Sequence, residues 1–165
     1  MTKETLRIVY FGTPEFAVES LKRLVDGGYN IVGVVTMPDK PIGRHQSILS
    51  KSAVKIFAEA HGLPLLQPVS LKAWQADVQV VVAFRMLPEV VWAMPRFGTF
   101  NLHAALLPQY RGAAPINWAI INGERETGIT TFFLQHEIDT GNVIQQVRVP
   151  ISDTDTAGDI HDRLM

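Results

Sequence analysis

Within its first 36 residues the chain passes from an apolar strand to an amphipathic helix and back to an apolar strand, and this order constrains the fold more than any later feature. Leu6 to Phe11 is a short, largely apolar run of the kind seen in strands buried on both faces, and Gly12-Thr13-Pro14 breaks it. Thr13 suits an N-cap and Pro14 the first helical position; Phe16, Ala17, Leu21, Leu24 and Val25 then recur at helical spacing up to Gly27-Gly28. Ile31 to Val35 is the second strand. Two strands joined through a helix pair in parallel, so the expectation is an α/β domain built on a mostly parallel sheet.

After Val35 the periodicity stops. Met37 to His45 reads as a polar, proline-bracketed loop, longer than the roughly 2–6 residues usual for a strand-to-helix connection. Ser52 is placed to cap a helix from Ala53 to His61 ended by Gly62, Leu63 to Leu66 reads as a short third strand, and Val78 to Ala83 as a buried one. Eleven residues separate Leu66 from Val78, which leaves room for only a very short helix. Pro88 to Met94 reads as a brief helix, Thr99 to His103 as a strand, and Pro115 to Ile121 as a helix ended by Asn122-Gly123. Gly128 to Gln135 and Val143 to Val149 flank the turn chemistry of Asp139-Thr140-Gly141 as a possible hairpin, and Ala157 to Met165 begins a final helix.

Composition narrows the function classes. The 165 residues are 47% hydrophobic, enough for one domain with a buried core. No apolar run approaches the roughly 20 residues that span a bilayer, and the N-terminal residues lack the apolar core of a secretion signal, so no membrane partner and a cytoplasmic location are expected. The absence of cysteine excludes disulfides, thiolate metal sites and cysteine nucleophiles. A net charge of −1 gives no compositional reason to expect nucleic acid, so any RNA contact must come from a local basic patch.

The densest chemistry lies in Asn101-Leu102-His103. Residues two apart on a strand share a face, so the Asn101 amide and the His103 imidazole converge on one spot at a strand end. Asn101 can donate to a developing oxyanion, and His103 can donate, accept or carry a proton near neutrality. Asp139, in a later loop, is the carboxylate able to reach the same crevice, because ligands of open α/β sheets bind at the carboxyl ends of strands. The set suits acyl-type transfer without a protein nucleophile; the alternative is a loop-capping Asn, a satisfied structural His and an ordinary turn. His45, His61, His136 and His161 have no spacing that suggests a metal site. Gly12-Thr13-Pro14 is a helix entry rather than a dinucleotide motif, with Phe16 behind it.

Over nearly its whole length the chain resembles methionyl-tRNA formyltransferases. The resemblance is carried by Phe11-Gly12-Thr13-Pro14-Glu15-Phe16-Ala17, Pro38-Asp39-Lys40-Pro41-Ile42-Gly43-Arg44, Leu65-Leu66-Gln67-Pro68, Val81-Val82-Ala83-Phe84, Asn101 to Ile116 and Ile138-Asp139-Thr140-Gly141. It implies a Rossmann-like formyltransferase fold with helices on both faces of the sheet, and transfer of a formyl group from 10-formyltetrahydrofolate to the amino group of methionine on initiator tRNA. It assigns catalysis to Asn101, His103 and Asp139, with Asn101 and a protonated His103 stabilising the oxyanion and Asp139 orienting the histidine. The same resemblance places the folate against Phe84, Arg85, Met86 and Leu87, against Leu106, Leu107 and Pro108, and against Ile138, Thr140 and Gly141. Phe16 is implied near the methionyl side chain, and Lys40, Gly43 and Arg44 in a loop that enters the tRNA acceptor stem. It further implies a monomer, no metal, and a second, β-barrel tRNA-binding domain beyond residues 1–165.

The chain departs from the family pattern at several points. Ala105 stands where most members have serine, His45 where a second glycine follows the loop arginine, Ala53 where proline is common, and Phe84-Arg85-Met86 where Tyr-Gly-x is commoner. The connection before Val78 is short for the family. A folate-dependent formyltransferase of an amino sugar or other small amine is the rival within enzymes, and a non-catalytic folate-binding fragment the rival outside them.

Overall fold

A computed structural model describes residues 1–43, 48–66 and 75–165. The chain forms two compact units, Met1–Gly98 and Thr99–Met165.

The first unit is built on parallel strands. β1 (Ile8–Gly12) lies between β2 (Ile31–Val35) and β5 (Val78–Val82), paired in parallel with both. All five residues of β1 and of β5 are buried, which explains their near-continuous apolar sequence: a strand flanked on both sides and covered on both faces has no solvent side to alternate with. The amphipathic segment after β1 is α1 (Glu15–Asp26), which buries Phe16, Ala17 and Leu21. Its N-cap is Pro14 rather than Thr13; the Thr13 hydroxyl instead accepts from the Met37 backbone N–H at 3.4 Å. Glycine is required at the strand end, because a Cβ on Gly12 would sit 2.7 Å from Ala17 Cβ and 2.9 Å from Tyr10 Cε1.

Two expectations in this unit change. The region read as a loop contains a strand, β3 (Lys40–Ile42), which pairs antiparallel with β4 (Ile48–Ser50) just beyond it, all six residues exposed. Such short exposed strands lack the buried alternation that reveals strands in sequence. The expected third strand at Leu63 to Leu66 is reduced to one parallel bridge between Leu65 and Val34, held by Val34 N–H to Pro64 O and Leu66 N–H to Val34 O. As predicted, Ser52 caps α2 (Ala53–Ala60), its hydroxyl accepting from Lys55 N at 3.0 Å. The helix expected between Leu66 and Val78 falls largely on residues outside those described. The brief helix after β5 is α3 (Glu89–Trp92).

The second unit is antiparallel. β6 (Thr99–His103) pairs with β7 (Glu126–Phe133), which pairs with β8 (Val143–Pro150), so the expected β7–β8 hairpin is present. α4 (Pro115–Ile121) starts at the predicted proline and stops at Asn122, and α5 (Ala157–Leu164) begins with a capping box formed by Thr156 and Asp159. Among the described residues no helix is long and apolar enough to cross a membrane.

Candidate active site

Asn101 and His103 sit two positions apart on β6 and share one face, as the strand period requires. Their cross-strand partners on β7 are Phe132 and Thr130, both fully buried, so the two polar side chains rest on a closed floor. His103 is itself 8% exposed. Its Nε2 lies 2.8 Å from the Tyr110 carbonyl oxygen, and because a carbonyl only accepts, Nε2 carries the proton. Nδ1 has no partner among the described residues and is the ring atom left to meet a ligand. The Asn101 amide likewise makes no hydrogen bond within those residues.

The fold brings Asp139 to His103. Oδ2 of Asp139 is 3.8 Å from His103 Nε2, with side chains 10% and 9% exposed. That separation is an ion-pair distance, too long for a hydrogen bond. The direct bond from Oδ2 goes to the Gly112 backbone N–H, at 2.8 Å. The expected orienting role is therefore divided: the Tyr110 carbonyl holds the imidazole by a hydrogen bond, while Asp139 supplies nearby negative charge and ties down the Tyr110–Gly112 loop. Asp139 adopts φ +54°, a left-handed conformation that Asp tolerates better than most residues.

The turn behind Asp139 explains its glycine. A Cβ on Gly141 would fall 1.5 Å from the Phe133 carbonyl oxygen, so only glycine lets this loop pack against the end of β7. Thr140 closes the turn through its hydroxyl to Glu137 O at 3.0 Å, and Ile138 is exposed.

The Ala104–Ala114 loop is held from beneath by residues that the sequence reading did not single out. Thr130 Oγ1 donates to Ala105 O at 2.7 Å and accepts from Leu107 N–H at 3.1 Å; Gln146 Nε2 donates to Leu107 O at 2.8 Å and to Thr130 Oγ1 at 3.0 Å. A threonine alternating with apolar residues on a strand and a glutamine on the next are weak signals, since their partners are backbone atoms about 25 and 39 residues away. Leu107 and Ala105 are buried, Leu106 is half-buried and Pro108 exposed, following a cis Leu107–Pro108 bond. Tyr110 and Ala114 also have left-handed φ, 56° and 52°, which costs on the order of 1–3 kcal/mol per residue and concentrates where a loop serves a site. The far end of Tyr110 is anchored too: its hydroxyl donates to Glu124 at 2.5 Å and accepts from Asn122 at 3.0 Å. The Glu124 carboxylate favours the neutral phenol and raises its pKa.

The remaining site residues lie in the first unit. Phe84 follows Ala83, itself at φ 46°, and packs edge-on against Phe11 with centroids 5.6 Å apart. Arg85 and Met86 are exposed and Leu87 is half-buried. Phe16 is buried on α1 at 8% exposure, Lys40 is exposed on β3, and Gly43 is exposed at φ +88°. Arg44 lies outside the described residues.

Comparison with known proteins places this geometry among formyl transferases. Residues 6–165 match the family described as formyl transferase. The chain is 68% identical to a methionyl-tRNA formyltransferase of Parabacteroides distasonis and 70% identical to one of Bacteroides thetaiotaomicron, in each case over 100% of this chain and 54% of the relative. It thus spans about half the length of the curated relatives it matches. Both alignments run over 174 positions against 165 residues here, so the relatives have at least nine positions without a counterpart in this chain. A phosphoribosylglycinamide formyltransferase from Bacillus halodurans superposes with a TM-score of 0.77 at 21% identity, covering 96% of this chain and 87% of that one. The likeness shows the fold, a Rossmann-like one.

Proposed function

We propose that this chain, which belongs to the formyl transferase family, is the catalytic domain of a methionyl-tRNA formyltransferase. The reaction moves the formyl group of 10-formyltetrahydrofolate to the amino group of methionine on initiator tRNA. The observation that carries the reading is the convergence of three dispersed residues of the resemblance: Asn101 and His103 on one face of β6, and Asp139 3.8 Å from the imidazole.

In this reading the Asn101 amide and His103 Nδ1, both without partners among the described residues, face the formyl carbon. Asn101 donates to the carbonyl oxygen as negative charge develops on it, and a protonated His103 adds a second, charged donor. Asp139 stabilises the imidazolium through space, and the Tyr110 carbonyl fixes the ring so that Nδ1 stays available. No side chain of the protein forms a covalent bond to the substrate. Folate is held against the Leu106–Pro108 segment and the Ile138–Gly141 turn; the resemblance also assigns Phe84 to Leu87 to it. The half-buried and exposed apolar side chains at Leu106 and Ile138 suit an aromatic ring system.

Phe16, Lys40, Gly43 and Arg44 are assigned to the methionyl-tRNA. The protein works as a monomer in the cytoplasm, with residues 1–165 supplying the catalytic domain and a separate β-barrel domain supplying much of the tRNA affinity. The test is formyl transfer by the full-length protein to charged initiator tRNA and, in parallel, to amino sugars. Formylation of the tRNA with the amino sugars inert is expected; the reverse preference defeats the assignment.

A further inference from the structure

The first unit contains a set of contacts that the chemistry above does not use. They lie where the β3–β4 hairpin leaves and rejoins the rest of the unit. On the way out, Thr36 Oγ1 lies 2.6 Å from Ser52 Oγ, and Asp39 Oδ2 accepts from Lys55 Nζ at 2.7 Å. Ser52 and Lys55 belong to the return path: Ser52 caps α2, and its hydroxyl also accepts from the Lys55 backbone N–H. Thr13, at the end of β1, adds its carbonyl to Val54 N–H and its hydroxyl to Met37 N–H, both at 3.4 Å. Both ends of an otherwise exposed hairpin are thereby tied to the first turn of one helix.

The ion pair differs from its neighbours. The Lys55 and Asp39 side chains are 25% and 19% exposed, whereas those of the Lys51–Glu59 pair, at 2.6 Å, are 46% and 40% exposed. Asp39 Oδ1 is buried and has no hydrogen-bond partner among the described residues. A carboxylate so placed depends on its close cation Lys55, since removing either member leaves a partly desolvated charge short of its direct partner; an exposed pair contributes little. An energetically awkward group in this position implies that it fixes geometry.

We propose that Asp39 and Lys55, together with the Thr36–Ser52 hydroxyl pair, form a clasp that sets the direction in which the β3–β4 hairpin projects, and that through it they govern affinity for the charged tRNA. Asp39 and Lys55 are positioning residues: they act through Lys40 and Gly43. The second half of the proposal rests on the tRNA reading above.

The experiment compares Asp39→Asn, Lys55→Met, the double variant and the charge swap Asp39→Lys with Lys55→Asp in the full-length protein, with Glu59→Gln as the control that opens the exposed pair. The KM for charged initiator tRNA is expected to rise on the order of tenfold in each single variant, with a smaller change in kcat and in the KM for folate. The double variant should be no worse than either single one, the charge swap should recover part of the loss, and Glu59→Gln should change KM by less than about twofold. Hydrogen exchange read in parallel should be faster for the β3 and β4 amides and unchanged for β1 and β5. Additive losses, equal changes in both KM values, or unaltered exchange in the hairpin overturn the clasp. If the wild-type protein does not formylate charged tRNA, the functional reading and the link to tRNA fall together, and hairpin exchange alone decides whether the clasp exists.

Discussion

Thr130→Val removes one hydroxyl and almost no volume, and its effect can be worked from the structure. Thr130 is fully buried, and its Oγ1 satisfies two backbone groups, the Ala105 carbonyl at 2.7 Å and the Leu107 N–H at 3.1 Å. Gln146 Nε2 keeps one N–H on Leu107 O and, being only a donor, cannot serve the Leu107 N–H, while its other N–H loses Thr130 Oγ1 as acceptor. Leaving a buried donor or acceptor unmade costs about 1–3 kcal/mol, so two orphaned groups predict a loss of about 2–6 kcal/mol. A domain of this size has roughly 5–15 kcal/mol in total, which makes the loss measurable and potentially severe. Thr130→Ser keeps the hydroxyl and gives up one methyl group, for about 1 kcal/mol. Urea unfolding followed by circular dichroism separates the two: the serine variant stays near wild type while the valine variant shifts to a much lower midpoint. A valine variant within about 0.5 kcal/mol of wild type would refute the reasoning, because it would mean that the Ala104–Ala114 loop finds other partners at no cost. Altered folate affinity should accompany the shift, since the same bonds set the path of Leu106 and Leu107.

Gly141→Ala places a Cβ 1.5 Å from the Phe133 carbonyl, so the Asp139 turn must move. Loss of transfer activity greater than the loss of stability, with the His103 environment altered by NMR, is the expected result, and a fully active variant contradicts the packing argument. Asn101→Ala should lower the transfer rate about 10²–10³-fold if the amide is an oxyanion donor; a loss under tenfold in a folded variant returns Asn101 to a structural role. The pH dependence of stability follows from Asp155, whose carboxyl forms a two-point pair with Arg163 at 2.8 and 2.9 Å and accepts from Ser152 N–H, lowering its pKa from 3.8 to about 2. The native state prefers the ionised form, so this contribution is complete above pH 3.8 and lost as pH falls towards 2. Wild type and Asp155→Asn should therefore differ in stability at pH 5 and converge near pH 2 in acid titrations; a constant gap across that range contradicts the assignment.

The parallel core and most element boundaries were legible because they rest on local physics. Continuous apolar runs at Ile8–Gly12 and Val78–Val82 report burial on both faces, the spacing from Phe16 to Val25 reports a helix, and Ser52 announces a helix start through a cap that involves near neighbours only. The hairpin at Lys40–Ile42 and Ile48–Ser50 escaped because its six residues are exposed and carry no burial pattern. The candidate site divides in the same way. Strand alternation put Asn101 and His103 on one face without any tertiary information, the binding of ligands at strand carboxyl ends brought in Asp139, and the resemblance gave the three their roles. Only the folded chain decides how they are held: Nε2 of His103 is claimed by the Tyr110 carbonyl, Asp139 bonds Gly112 and reaches the imidazole through space, and Thr130 and Gln146 support the loop through backbone atoms. Those contacts run between main-chain groups and side chains far apart in sequence. Any residue can offer a carbonyl or an N–H, so composition and spacing leave no trace of which one is used.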